Sequence, residues 1–227
     1  MLDRRHPPAY RPITGFDLIA PRHITFSNGL NVFVFDAGEQ NVIRMEWIFE
    51  HVFAQTENPL LHTCACEMLP EGTSTYSSKQ IADTIDFYGA FLVPQFDADR
   101  STLSLFSLTK HLDKLLPLVR DILTDTTFPE RELATYGRNN KQKLQVSLQK
   151  NSFVARRLFN KAIFGQTRYG LSPEIIDYDA LNREDLLSLF RVQYTPTNCT
   201  LILSGQITDE TIDTVARLFD DGGPARR

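Results

Sequence analysis

No apolar run in this chain approaches the roughly 18 residues that a membrane-spanning helix needs, which argues against a helical membrane protein. The opening Met1-Leu2-Asp3-Arg4-Arg5-His6-Pro7-Pro8 lacks the apolar core of a signal peptide, so a cytoplasmic location is expected unless the sequence begins downstream of a removed signal. Cysteine is scarce. Cys64, Cys66 and Cys199 do not suggest a disulfide framework. Cys64 and Cys66 cannot share a helix face, which makes them a poor chelate. His62 and Cys66, four residues apart, can share one, but no third ligand is visible nearby and the simpler reading has them bordering an apolar stripe. His6, His23, His51 and His111 have no partner spacing. No internal repeat is found. A formal charge of −4 gives no general argument for nucleic acid or for a membrane surface.

What the chain does hold is material for a core. It has 227 residues, 42% hydrophobic, with 16 Phe, enough for one large domain or two small ones. Pro7, Pro8, Pro12 and Pro21 make residues 1–22 read as an extended arm. Strands are predicted near 23–35 and 41–49, the first broken by the turn signal Asn28-Gly29. A helix follows Asn58-Pro59, another spans about 78–88, and strands lie near 90–96 and 101–108. Thr109 is a candidate cap for a helix running to about Thr124. Thr127-Phe128-Pro129-Glu130 has the pattern of a capping box opening a long helix over about 129–150. A further helix carries Phe153, Val154, Leu158, Phe159 and Ile163. An irregular stretch through Ser172-Pro173 leads to a helix at 182–192, a strand at 200–204 and a helix near 209–219. This order predicts an α+β fold, with helices packed on one antiparallel or mixed sheet. Asp220-Asp221-Gly222-Gly223-Pro224 reads as the exit to a linker over 221–227.

Residues 63–73, Thr-Cys-Ala-Cys-Glu-Met-Leu-Pro-Glu-Gly-Thr, are the most informative stretch. The half Met68-Leu69-Pro70-Glu71-Gly72-Thr73 resembles the segment that follows the zinc motif H-x-x-E-H of pitrilysin/insulinase-type metallopeptidases. Ile24 to Val34, Ser78 to Ala90, Tyr169-Gly170, Tyr194 to Leu201 and Ser204-Gly205 resemble further landmarks of that family in order and spacing. The resemblance covers roughly residues 23–220 and implies the family's α+β domain, matching only the first of two related halves.

In that family two histidines one helical turn apart hold zinc, and the glutamate between them takes a proton from the metal's water. The five aligned positions here are Thr63, Cys64, Ala65, Cys66 and Glu67. Both histidines are replaced, by Thr63 and Glu67, and Cys66 stands in place of the general base. On a helical wheel Leu60, Leu61, Cys64, Ala65 and Met68 form an apolar stripe, with Thr63, Cys66 and Glu67 expected on the opposite side. The family's third ligand, a glutamate in the long helix, falls at or beside Lys143, whose ammonium is a donor with no lone pair to offer. Lys143 and Glu67 are therefore expected to approach each other and pair where the metal sits in relatives.

The resemblance thus implies a non-catalytic homologue without zinc or another cofactor. It reads as a subunit that assembles with an active zinc-bearing family member, or with its own second half, and helps form a peptide-binding chamber. Two alternatives stand beside it: a peptidase with unorthodox ligands built from His62, Cys66 and Glu67, and a purely structural subunit of a larger complex. One charge feature is specific to this chain. Between Arg138 and Pro173 there is no Asp or Glu, while Arg138, Lys141, Lys143, Lys150, Arg156, Arg157, Lys161 and Arg168 all occur. Such a wall steers acidic peptides by long-range attraction, although a solvated helix face is the plainer reading. No nucleic-acid-binding module is visible.

Overall fold

The computed structural model describes residues 15, 18–52 and 58–220. Six strands form one mixed sheet: β1 (Arg22–Thr25), β2 (Asn31–Asp36), β3 (Val42–Glu50), β4 (Phe91–Phe96), β5 (Arg100–Leu108) and β6 (Cys199–Gly205). Their spatial order is β1-β2-β6-β3-β5-β4, with β2 and β6 parallel and every other pair antiparallel. Asn28-Gly29 turns β1 into β2 as expected, with Gly29 at φ 89. The expected α+β class is the observed one.

Alternation along the strands decides which face of the sheet is covered. Ile43, Met45, Trp47 and Phe49 of β3 are all buried, while Arg44 and Glu50 between and beyond them are exposed. The registers place Val32, Leu201, Trp47 and Leu103 in one row across four strands, and Val34, Leu203, Met45 and Leu105 in the next. Four helices supply much of the opposing layer: α1 (Leu61–Glu67), α3 (Leu112–Asp125), α7 (Arg183–Gln193) and α8 (Asp209–Phe219). Their inward residues include Leu115, Leu116, Val119, Ile122, Leu186 and Val215, none measurably exposed. Each such side chain contributes about 1.5–3 kcal/mol of burial. Edge strand β4 carries Pro94, a position where a missing N–H costs the ladder least.

Four further helices lie among the described residues: α2 (Ser78–Phe87), α4 (Glu130–Ser147), α5 (Asn151–Phe164) and α6 (Ile175–Asp179). The five-residue α6 lies in the stretch expected to be irregular; it is too short to show a helical period. Thr109 does not cap α3, because a 3-10 turn at Thr109–His111 precedes the helix and His111 takes the cap position. Nor does Thr127 close a capping box on α4. Its hydroxyl and its N–H both go to the Gly72 carbonyl, and Pro129 is the cap residue. The expected arm contributes Arg22 to β1; its residues before 18, Gly15 excepted, and the expected linker 221–227 lie outside the described residues. No helix of the described residues is long and apolar enough to cross a membrane.

Candidate functional site

Helix α1 holds all five aligned motif positions, Thr63 to Glu67, and Lys143 lies in α4. Helix α1 is only seven residues long, yet Leu61, His62, Cys64, Ala65 and Cys66 are all buried. It packs against β4, β5 and α7 at once, so more than one of its sides is covered. That overturns the expected placement of Cys66 on a polar face opposite the apolar stripe. Cys66 is fully buried, and its thiol donates to the Gln95 carbonyl of β4 at 3.3 Å. The stripe of Leu60, Leu61, Cys64, Ala65 and Met68 is buried as predicted.

The segment after α1 fixes where α4 starts. Gly72 sits at φ 149, where a Cβ would come within 2.8 Å of the Pro129 ring. Thr73 bridges to Thr126, and the Thr126 hydroxyl donates to the carbonyls of Leu69 and Gly72 at 3.2 Å. Met68 to Thr73 therefore clamps the C-terminal end of α1 to the junction of α3 and α4. Gly72→Ala is expected to lose about 1–3 kcal/mol, since any side chain there is strained. Equilibrium urea denaturation measures it; a stability equal to that of the parent chain would refute the clamp.

On the sheet side of α1, His62 lies ring to ring with His51 at 4.6 Å, and His51 stacks on Phe96 at 5.1 Å. The His51 Nε2 is 2.8 Å from the Ser101 hydroxyl, to which Gln193 Nε2 donates at 3.5 Å. Burial, reinforced by the neighbouring His62, pulls the His51 pKa down to about 4. Burial also pushes the thiols up, Cys66 to about 11 and Cys64 to about 12, so both stay protonated at neutral pH.

On the other side of α1, Thr63 is half-buried and Glu67 exposed. The residue that meets Glu67 from α4 is Tyr136, which the sequence reading missed. Its phenol is pushed up, first by burial, then by Cys64 and by the Glu67 carboxylate it faces. Tyr178, following α6's first turn, feels the same group: burial first, then Glu67, raise its pKa. Lys143 makes no ion pair with Glu67. Its ammonium donates to the Asn140 side chain at 3.3 Å, and the residue is exposed. Tyr136 and Lys143 are seven residues apart, so Lys143 lies two turns, about 10 Å, further along a similar side of the helix. The signal available in sequence was Leu133 and Leu144, three turns apart, whose burial sets the inward face of α4.

The donor set does not fit zinc. Thr63 offers a neutral hydroxyl, Cys66 is a protonated thiol turned to a backbone carbonyl, and Lys143 is a cation two turns away. Glu67 remains as a lone carboxylate. His62 and Cys66 face the sheet while Glu67 faces Tyr136, so the unorthodox set of His62, Cys66 and Glu67 does not converge. Among the described residues no three His, Cys, Asp or Glu side chains come together in a way that could hold a metal ion.

No protein-family profile matches the chain. It is 24% identical over 209 residues to an uncharacterized zinc protease of Rickettsia bellii, covering 85% of this chain and 48% of the relative. It is also 24% identical over 161 residues to the uncharacterized zinc protease YmxG of Bacillus subtilis, covering 67% of this chain and 38% of that one. The chain thus spans about half the length, or less, of the curated relatives it matches. Among solved structures, the inactive domain of a peptidase M16 from Pseudomonas fluorescens superimposes with a TM-score of 0.80 at 20% identity, over 91% of this chain and 52% of that one. Fold and sequence point the same way: the chain is similar in sequence to part of these zinc proteases and has the fold of an M16 peptidase inactive domain.

Proposed function

We propose that the chain is a non-catalytic homologue of these peptidases, a subunit that joins an active zinc-bearing relative or its own second half and helps wall a peptide-binding chamber. The observation that carries the assembly reading is the orientation of α5. Phe153, Val154, Arg157 and Asn160 are its partly covered face, while Ala155, Leu158, Phe159, Ala162 and Ile163 recur at helical spacing on the exposed one. Leu158, Phe159 and Ile163 are 62%, 63% and 57% exposed. A helix on an isolated domain turns its apolar stripe to the core. This one turns it outward, as suits a surface covered by a second polypeptide layer. The relatives' additional length makes a second half the first candidate for that layer. The non-catalytic reading is supported by Thr63, Cys66, Glu67 and Lys143, none of which supplies the ligand or base its aligned position requires.

Light scattering of the chain alone, then with its separately expressed second half or a zinc-bearing relative, tests the assembly. A complex is expected, and Leu158→Glu with Phe159→Glu is expected to abolish it while changing thermal stability little, because both side chains are mostly exposed. A chain that ignores every partner, or a charged variant that still assembles, sinks the reading. Elemental analysis after zinc supplementation is expected to find no stoichiometric metal; one ion per chain, lost on replacing His62 or Cys66, would establish the unorthodox site instead. A cytoplasmic site of action belongs to this proposal and is checked by cell fractionation.

A further inference from the structure

Between the C-terminal half of α4 and the N-terminal half of α5 lies a cleft of about 360 Å³. Its walls combine aromatic surface, from Phe153 and Tyr178, with the side chains of Lys143, Arg156, Arg157 and Asn160; among the described residues no carboxylate lines it. The guanidinium carbons of Arg156 and Arg157 each lie 5.8 Å from the centre of the same Phe153 ring. Two like charges are thus gathered on one ring, with the Lys143 ammonium on the facing helix.

The three cations differ in what they already hold. Arg157 is committed, donating to Glu174 at 2.6 Å and to the Pro173 carbonyl at 2.8 Å. Lys143 has only the neutral Asn140 oxygen at 3.3 Å. Arg156 has the Phe153 ring, and among the described residues neither Lys143 nor Arg156 is in an ion pair. Elsewhere on this surface the counter-charges are supplied, as Lys141 to Asp179 at 2.6 Å shows. Within the cleft Arg157 has its counter-charge in Glu174, while among the described residues Lys143 and Arg156 are left without one.

We propose that this cleft binds acidic side chains of a polypeptide, with Lys143 and Arg156 as the carboxylate partners and Phe153 and Tyr178 as the apolar bed beneath them. A polypeptide fits better than a nucleic acid because the charge is confined. A nucleic-acid backbone needs a track of cations, and the other side of α5 continues as the apolar stripe. Tyr178 also faces Glu67, so a peptide seated here would run toward the degenerate metal position. For that path the inference rests on the chamber reading proposed above; the selectivity for acidic residues rests on the cleft alone.

The test is fluorescence anisotropy of the full chain with three labelled probes: a peptide rich in Glu and Asp, its Gln and Asn counterpart, and a single-stranded oligonucleotide. The acidic peptide is expected to bind, more weakly as salt rises. Lys143→Gln with Arg156→Gln is expected to weaken it by about tenfold or more, while Lys110→Gln with Lys114→Gln, the same loss of two positive charges at exposed lysines elsewhere, leaves it intact. Equal binding of the acidic and amide peptides overturns the acidic selectivity but leaves the chamber reading standing. Absence of acidic-peptide binding overturns the inference, and so does tighter oligonucleotide binding that the double variant removes, which would make the cleft a nucleic-acid contact. Because assembly is measured by light scattering and not with these probes, the two proposals fail separately.

Discussion

Replacing Phe128 with alanine is expected to cost about 3–5 kcal/mol of folding stability. Phe128 is fully buried and meets Phe190 of α7 edge to face, ring centres 5.9 Å apart at 81°. It is also the sole non-glycine residue at positive φ among those described, at 44. A bulky side chain there costs backbone energy, and the surroundings hold it in place. Thr127 before it bonds Gly72 through both its N–H and its hydroxyl, and Arg183 Nε donates to the Thr127 carbonyl at 2.7 Å. The side chain anchors the junction that aims α4 past α1. Urea denaturation measures the loss, and proteolysis of α4 should accelerate in parallel. A change below about 1 kcal/mol would show that the backbone contacts alone hold the junction. Alanine keeps the strained φ, so Phe128→Gly should be less damaging than Phe128→Ala, a comparison that separates strain from packing.

Stability is expected to fall by about 2 kcal/mol as pH drops from 6.5 to 4, after discounting the screened part of the His51 shift. In the unfolded chain His51 takes up a proton near its ordinary 6.5; in the fold it does so near 4. Between those values the unfolded state binds the extra proton, so lowering the pH favours unfolding, and below about 4 this contribution levels off. Burial is the main cause. His62 and Arg168 oppose the charged form, while the Ala98 carbonyl and Asp97 favour it. Urea midpoints for the parent chain and His51→Gln across this range provide the check. The variant should start less stable at neutral pH, having lost the bond to Ser101, but show a shallower slope. Identical slopes would assign the acid sensitivity to other groups.

These two sites illustrate different degrees of legibility. The strands with strict alternation, β3 and β6 above all, and the strongly periodic helices α3 and α8 could be read directly, because burial on one face imposes a period that survives in the residues. The ends of helices were less legible. Thr109 and Thr127 have the chemistry of caps, but a 3-10 turn displaced one and the Gly72 carbonyl claimed the other. Cys66 was assigned to a polar face because a wheel assumes one buried side, whereas α1 is enclosed by β4, β5 and α7 together. His51 gave no signal at all, since the hydroxyl it bonds, Ser101, lies 50 residues away.

By itself the sequence determined the α+β class, the Asn28-Gly29 hairpin and the apolar stripe of α1. All of these depend on residue type and short-range spacing. Tertiary structure decided the rest. It inserted β6 between β2 and β3, so that a strand from the far end of the chain sits in the middle of the sheet. It brought Tyr136, and not Lys143, to Glu67, because helix rise separates the two by about two turns. It also turned the apolar stripe of α5 to the outside, leaving Phe153, Val154, Arg157 and Asn160 as the partly covered face. The sequence shows that α5 has two faces; which one meets the domain depends on what α4 and the chain before α6 present to it, and that is a property of packing.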